Sequence, residues 1–536
     1  MRKLRVTRRV THLAVLGAVM LPLAVGAFVY QQQDTVASAQ LLDEVLRITA
    51  SRYVDSVGTD ALYEKAAKGL VKELNDPYSV LFTKKEFDQF SQTTGGKYGG
   101  IGMEIAPTNG FVTVQRVFPH TPAAAGGVME GDRILQIDTA NARGWTTTQV
   151  SDRLKGDPGT TVSVKFGRVG VTEPIPVKFT RAIVHIPAVP YTLVFGNVGY
   201  IPLQQFNETA AQEVDDAIAQ VTKAGATRLV FDMRSNPGGF LDQAISTSNL
   251  FLPQNQSILS VRGRTGEVQA YSATDVPRQP KIPMVILVDG RTASASEIVA
   301  GALQDHDRAL IMGTTSFGKG LVQSLFKLDG GYALKMTTAK WYTPSGRSIQ
   351  KERKLLPDGE FVEVMPDSLE TDSARRARPK YKSDAGRVVY GGGGITPDII
   401  VKPDTLSTAE QKLLQSLAPK SQVFAQELQD YASEMKGKVA LGFSVTPQMR
   451  NALISRLRSK GVTVDSTLLA TGGNTELDRL IGVRITSMAF GDSATKRKYL
   501  ADDNQLQRAI EALKGVQSTQ GLFALAQRTQ GVASAR

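Results

Sequence analysis

The chain has 536 residues, 41% apolar and 21% charged, and a formal charge of 63 − 51 = +12; this is an ordinary globular balance, and at roughly 100–200 residues per domain it predicts three or four domains with sizeable cores. The absence of cysteine excludes disulfides, thiolate metal sites and a cysteine nucleophile, and it leaves an oxidising compartment harmless. The basic excess reads as a solubilising surface, because aromatic residues are few and no basic-aromatic recognition element occurs, so nucleic acid is not an expected partner.

The chain begins with Arg2, Lys3, Arg5, Arg8 and Arg9, and then carries no charge from Leu13 to Tyr30. A basic flank followed by such a run predicts an export signal, with the positive end kept in the cytoplasm. The run is long enough to span a bilayer, yet Ala37-Ser38-Ala39 offers a small-residue cleavage site, so residues 1–39 are expected to be a signal peptide or a membrane anchor. Either way the remainder is expected outside the cytoplasm, in the periplasm or on the outer face of the cytoplasmic membrane. Residues 40–96 read as a helical region, with Leu41, Leu42, Val45, Leu46 and Ile48 along one face and a break at Asn75-Asp76-Pro77-Tyr78-Ser79, where Pro77 is incompatible with a helix interior.

Residues 97–181 alternate short strands and turns, with Phe111 to Val117 as a strand, Gly131-Asp132-Arg133-Ile134-Leu135-Gln136-Ile137 and a helix from Thr148 to Leu154. This pattern resembles a PDZ domain. The resemblance makes Gly99-Gly100-Ile101-Gly102-Met103 the carboxylate-binding turn, with Gly100, Ile101, Gly102 and Met103 as peptide-binding residues, and it implies recognition of a protein's free C-terminus.

From Ala182 strands and helices alternate: Val198 to Ile201, a helix from Glu208 to Thr222, and Leu229 to Met233, followed at once by Arg234-Ser-Asn-Pro-Gly-Gly239. The apolar run from Met284 to Val288 predicts a buried strand, and Ile298, Ala302 and Leu303 fall near a 3.6-residue period that predicts a helix beginning close to Ser294. Ser294 and Glu297 form an S-x-x-E capping box. The Ser294 hydroxyl therefore has two alternative uses, capping the helix or attacking a substrate whose oxyanion would lie near the free N–H groups of the helix start. Ser296 is an alternative nucleophile. Lys319 lies 25 residues beyond Ser294 between Gly318 and Gly320; it reads either as a solvated loop lysine or as an amine that burial keeps neutral enough to accept a serine proton. Gln323, four residues on, is placed to orient it.

Two competing chemistries are set aside. Gly313-Thr-Thr-Ser-Phe-Gly318-Lys319 follows a strand like a phosphate-binding loop, but Gly320 replaces the required Ser or Thr and the next residues alternate like a strand. A Ser-His-Asp triad would need His120, His185 or His306, and His306 in QDHDR is expected to end the helix, where a cation is favoured.

The segments TASASEI, AGALQD and FGKGLVQ, with KWYTPSGRSI at 340–349, GGGGITPD at 391–398 and DPYS before the PDZ-like stretch, are similar to the C-terminal processing peptidases, or tail-specific proteases, from about Leu41 to Val401. The resemblance implies an α/β multidomain chain: a mixed α/β (crotonase/Clp-like) peptidase core over 182–403, an inserted mainly-β PDZ domain, and helical N- and C-terminal regions. Within the core, residues at about 351–387 depart from that pattern: charged and poor in apolar residues, they read as a surface insertion. It implies a serine-type endopeptidase with Ser294 as nucleophile, Lys319 as general base and Gln323 as third member, and with oxyanion donors at Ala295 and one glycine of the Arg234–Gly239 loop, of which Gly238 is preferred. No metal or cofactor is expected, and the expected partners are protein or peptide substrates with a free C-terminus and, if residues 1–39 are retained, the membrane. The alternative is a non-catalytic PDZ adaptor on a peptidase scaffold. Residues 404–536 read as helical at Ala409 to Leu417, Val423 to Met435 and Gln505 to Leu513. Docking onto the core, homo-oligomerisation and partner binding stay open for them.

Overall fold

The computed structural model describes residues 40–534 except 109, 169, 280, 356–360 and 364–375. The export segment expected over 1–39 and much of the insertion at 351–387 lie outside the described residues. Among the described residues no helix is long and apolar enough to cross a membrane.

The chain forms two compact units. The smaller contains the residues up to Lys84 together with Gln323–Thr337. Its helices cover 40–52 and Thr59–Lys72, and a strand, Val80–Phe82, pairs antiparallel with 333–335. That strand interrupts a region read from the sequence as helical. The Asn75–Ser79 break is a turn organised by Asp76, whose carboxylate accepts from the Tyr78 N–H at 3.1 Å and the Ser79 hydroxyl at 2.6 Å.

The larger unit contains the PDZ-like sheet, with Met103–Thr108, Phe111–Val117, Arg133–Ile137, Thr161–Gly167 and Ile175–Thr180 in that order across it. Alternate residues Val162, Val164 and Phe166 enter its core with Val112, Ile134 and Val150, as expected of a sheet buried on one face. The helix Thr147–Leu154 starts in a complete capping box between Thr146 and Gln149.

The same unit contains a six-stranded sheet: β1 Leu193–Phe195, β2 Val198–Pro202, β3 Arg228–Asp232, β4 Met284–Val288, β5 Leu310–Gly313 and β6 Ile399–Ile400. The β1–β2 pair is antiparallel and the rest are parallel. Along β4, Met284, Ile286 and Val288 face one core while Val285 and Leu287 face another, so this strand reads as a continuous apolar run because both sides are covered. Helices α1 Ala210–Lys223, α2 Leu241–Asn249 and α3 Ala295–Asp305 contribute to the first side. The second side is covered by the far end of the chain, α4 Asn504–Lys514 and α5 Thr519–Ser534, through Leu506, Ile510, Leu513 and Leu522. The C-terminal region thus completes the core sandwich, which ends well beyond the 403 expected from the sequence. Helices between β6 and α4, including Pro447–Ser459 and Asn474–Ala501, form a separate apolar cluster around Leu453, Leu477 and Ile481.

The ends of the expected insertion are tied into the core. Lys351 is buried, and Arg387 pairs with both Asp307 and Asp398.

Leu506 is fully buried in α4. Leu506→Ala is expected to lower unfolding stability by about 2–5 kcal/mol, measured from urea denaturation. A loss below about 1 kcal/mol would contradict the packing of α4 on the sheet.

Candidate active site

β4 ends at Val288, and a short turn leads to the start of α3. Every residue of α3 is buried, which requires a helix without exposed charge, and its sequence ASEIVAGALQD meets that with Glu297 and Asp305 internally bonded. Ser294, the residue before it, has φ 55° and ψ −116°, a left-handed-side conformation that an L-residue adopts only when its surroundings impose it. The surroundings are identifiable. The Glu297 carboxylate accepts from the Ser294 N–H at 2.8 Å, while the Glu297 N–H donates to the Ser294 carbonyl at 2.8 Å. Ser294 and Glu297 face each other as a capping box, yet the hydrogen bond of the Glu297 N–H goes to the Ser294 carbonyl and not to its hydroxyl.

Ser294 is half-buried, whereas Ser296 is fully buried and its hydroxyl donates to the Asn236 carbonyl at 3.1 Å. Of the two serines only Ser294 is reachable by a substrate.

Glu297 does more than begin a helix. It is completely buried, and besides Ser294 it accepts from the Gly318 N–H at 2.6 Å, the Lys319 N–H at 2.9 Å and the Ser316 hydroxyl. Burial pushes its carboxyl above the ordinary range, and the four donated hydrogen bonds oppose that shift. One carboxylate therefore fixes the backbone of both Ser294 and Lys319. The lysine loop is held further by Phe317 N–H to the Thr292 carbonyl at 2.9 Å and by Trp341 Nε1 to the Lys319 carbonyl at 3.0 Å. The GGGGITPD segment supports it as well, with the Ile395 N–H on the Ser316 hydroxyl at 2.6 Å. Lys319 is followed by a strand, Leu321–Lys327, and no helix, so the loop lacks the helix start a phosphate-binding loop requires. Gln323 lies in that strand within the smaller unit, where its Nε2 donates to Thr337 Oγ1 at 3.3 Å.

The Arg234–Gly239 turn lies against the nucleophile turn. A Cβ on Gly238 would stand 2.7 Å from the Ala293 carbonyl, 2.8 Å from Ser294 Cβ and 2.9 Å from the Ala295 N, so only glycine fits there, and its φ of 95° requires glycine as well. The two turns are joined by Ala293 N–H to the Asn236 carbonyl at 3.0 Å and by Asp289, which accepts from the Ser235 N–H at 2.9 Å. Gly238 N–H donates to Asn236 Oδ1 at 2.9 Å in this structure. The N–H groups of Ala295 and Gly239 have no hydrogen-bond partner among the described residues.

None of the described histidines is placed to assist Ser294 as a triad requires. His306 caps the opposite end of α3, its ring nitrogens on Asp384 at 2.8 Å and the Ser257 carbonyl at 2.7 Å. His185 is bonded to Glu213, and His120 lies in a turn of the PDZ-like part.

In that part, Lys97–Gly100 forms a strand paired with Ala182–His185, so Gly99 and Gly100 belong to a ladder instead of an open turn. Ile101, Gly102 and Met103 line a groove of about 50 Å³ with Tyr98, Leu154 and Lys155. Gly102 has φ 88°, and a Cβ on it would collide with Thr121.

Ser294, Lys319 and the glycine turn, named from the sequence, lie on loops around the start of α3; the bonds of Glu297 to the lysine loop and the contacts of Asn236 were not read there, although the S-x-x-E spacing places Glu297 beside Ser294.

Comparison with known proteins gives the family. The sequence model of Peptidase family S41 matches residues 197–361, that of the PDZ domain residues 91–166, and that of the activating protease CtpB N-terminal domain residues 27–86. The carboxy-terminal-processing protease of Bartonella bacilliformis is 37% identical, over 69% of this chain and 88% of its own. The carboxy-terminal processing protease CtpA of Bacillus subtilis is 32% identical, over 56% of this chain and 64% of its own. A solved structure of a photosystem II D1 C-terminal processing protease is similar at 29% identity and a TM-score of 0.34, covering 61% of this chain and 91% of that one. With a half-buried serine held at a helix start opposite a glycine-lined turn, and with a relative matched over most of its length, the chain belongs to the S41 carboxy-terminal-processing proteases, serine-type peptidases that carry a PDZ domain.

Proposed function

We propose that this chain is an exported endopeptidase that captures proteins by their C-terminal tails in the PDZ groove and cleaves peptide bonds through an acyl-enzyme on Ser294. The observation that carries the reading is the buried carboxylate of Glu297, which holds the backbone of Ser294 and of Lys319 at once.

Ser294 Oγ attacks the scissile carbonyl carbon and passes its proton to Lys319 Nζ; the negative charge moves to the carbonyl oxygen. The oxyanion is received by the free N–H of Ala295 at the start of α3 and by the Arg234–Gly239 turn. Within that turn Gly238 must release Asn236 Oδ1 to serve, whereas the Gly239 N–H is already free. The lysine returns its proton to the leaving nitrogen as the C–N bond breaks; it then takes a proton from the water that attacks the acyl carbon and gives it to Ser294 Oγ as the ester bond breaks. Gln323 is the third member that the resemblance to the C-terminal processing peptidases implies. The lysine replaces the histidine-carboxylate pair, so the scheme requires no metal.

Export is supported by the basic flank at Met1–Arg9 and the uncharged run Leu13–Tyr30. Fractionation of producing cells should find the protein outside the cytoplasm; a cytoplasmic protein would contradict this.

The chain from Gln40 onward should cleave an unfolded protein such as casein, with activity rising with pH as the lysine amine loses its proton. Ser294→Ala and Lys319→Ala should each lower the rate by at least about 1,000-fold while remaining folded. Ser296→Ala should retain cleavage, and cleavage surviving in Ser294→Ala would reassign the nucleophile.

Gly238→Ala introduces a side chain into a contact of 2.7 Å at a positive φ. It should lower kcat by about 100-fold or more, the effect of losing oxyanion-hole geometry. Wild-type kcat in this variant would show that the turn is not part of the site.

A further inference from the structure

Arg234 begins the glycine turn, and its guanidinium is bonded on every side. Nε and Nη2 bind the Asp232 carboxylate at 3.0 and 2.6 Å. Nη1 binds Asp503 Oδ1 at 3.0 Å and Gln505 Oε1 at 2.9 Å, and Nη2 binds Asp503 Oδ2 at 2.6 Å. These contacts use all five N–H donors that a guanidinium has. Asp503 and Gln505 belong to the start of α4, 269 and 271 residues away in sequence and outside the residues matched by the S41 family model.

The two residues are themselves fixed. Asp503 caps α4, accepting from the Leu506 N–H at 2.9 Å, and Gln505 Nε2 donates to the Val401 carbonyl at 2.6 Å, just after β6. The cluster is largely buried, with the Arg234, Asp232 and Asp503 side chains 16%, 7% and 14% exposed. Tyr200 adds a hydroxyl to Asp232 at 2.8 Å, so two carboxylates share one guanidinium and a phenol.

Ser235, next to Arg234, has φ 60°, a positive value for a non-glycine residue, and the following residues Asn236 to Gly239 face the nucleophile turn. A strained turn keeps its conformation only if it is held at its ends. Asp289 holds Ser235 from the nucleophile side, and the guanidinium cluster holds Arg234 from the other.

We propose that Asp503 and Gln505 are positioning residues for the oxyanion turn: through Arg234 they set the backbone of residues 235–239, which makes the C-terminal helices part of the catalytic apparatus. This rests on the peptidase reading above. It goes beyond that reading because it gives a role in turnover to a segment that bears no reacting group.

The test uses the chain from Gln40 to its end, with casein as substrate, comparing wild type, Ser294→Ala, Asp503→Asn, Gln505→Ala and Arg508→Ala. Asparagine retains the cap acceptor but cannot accept twice from the guanidinium, so Asp503→Asn separates positioning from helix capping. Arg508 lies on the exposed side of α4, paired with Glu511, and its variant controls for general effects on the helix.

The expected result is a fivefold or greater fall in kcat for Asp503→Asn, with KM within twofold, a melting temperature above the assay temperature, and Arg508→Ala at wild-type kcat. A kcat within fivefold of wild type, or a fall matched by Arg508→Ala, would overturn the proposal. If Asp503→Asn does not fold, Gln505→Ala is judged by the same criteria, since it leaves the cap intact. Wild type failing to cut casein would count against the peptidase reading; wild type cutting, Ser294→Ala inert and Asp503→Asn unimpaired would overturn this proposal alone.

Discussion

The site depends on one buried carboxylate. Glu297 is fully buried, where an unpaired charge would be untenable, and it persists because three backbone N–H groups and a hydroxyl converge on it. The convergence has a geometric result. Two loops from the ends of successive parallel strands, β4 and β5, are locked to the same two oxygen atoms, so the serine and the lysine keep their relative backbone positions without any direct bond between their side chains being required. The strained φ of Ser294 follows from the same constraint, because its N–H is drawn toward Glu297 while its carbonyl starts the helix.

A second constraint is the closure of the sheet. Parallel strands expose two apolar faces, and both must be covered. In this chain the covering is shared between helices that follow their strands directly and two helices from the extreme end of the sequence. Closing the fold with α4 and α5 also brings Asp503 and Gln505 to Arg234, so covering the sheet and bracing the glycine turn are consequences of one docking event. Folding stability and turnover are therefore expected to be coupled through residues that lie far from Ser294 in sequence.

What could be read from the sequence divides along contact range. The S-x-x-E spacing, the glycine-flanked lysine and the apolar run of β4 are local patterns, and each located its element. How the helix start is bonded is not a local matter: the Glu297 N–H donates to the Ser294 carbonyl, while the Glu297 carboxylate takes the Ser294 N–H together with the lysine loop. Ser296 likewise reads as an equal candidate until its burial and its bond to Asn236 are seen. The amphipathic stretch Gln505 to Leu513 is visible in the sequence, but periodicity states only that one face is apolar and not what it meets. Asn474–Ala501 was missed because its apolar residues are spread around the helix, and the charged tract 351–387 was read as surface although Lys351 is buried and Arg387 pairs with two carboxylates. Charge patterns predict exposure only where no partner of opposite charge folds back onto them.

The most direct measurement of the central claim is covalent labelling with a fluorophosphonate, which reacts with an activated serine, followed by peptide mapping of the adduct. The account predicts a single adduct on Ser294 that is lost on denaturing the protein beforehand and is strongly reduced in Lys319→Ala. An active enzyme that labels at another residue, or labelling of Ser294 that is unaffected by loss of the lysine, would contradict it.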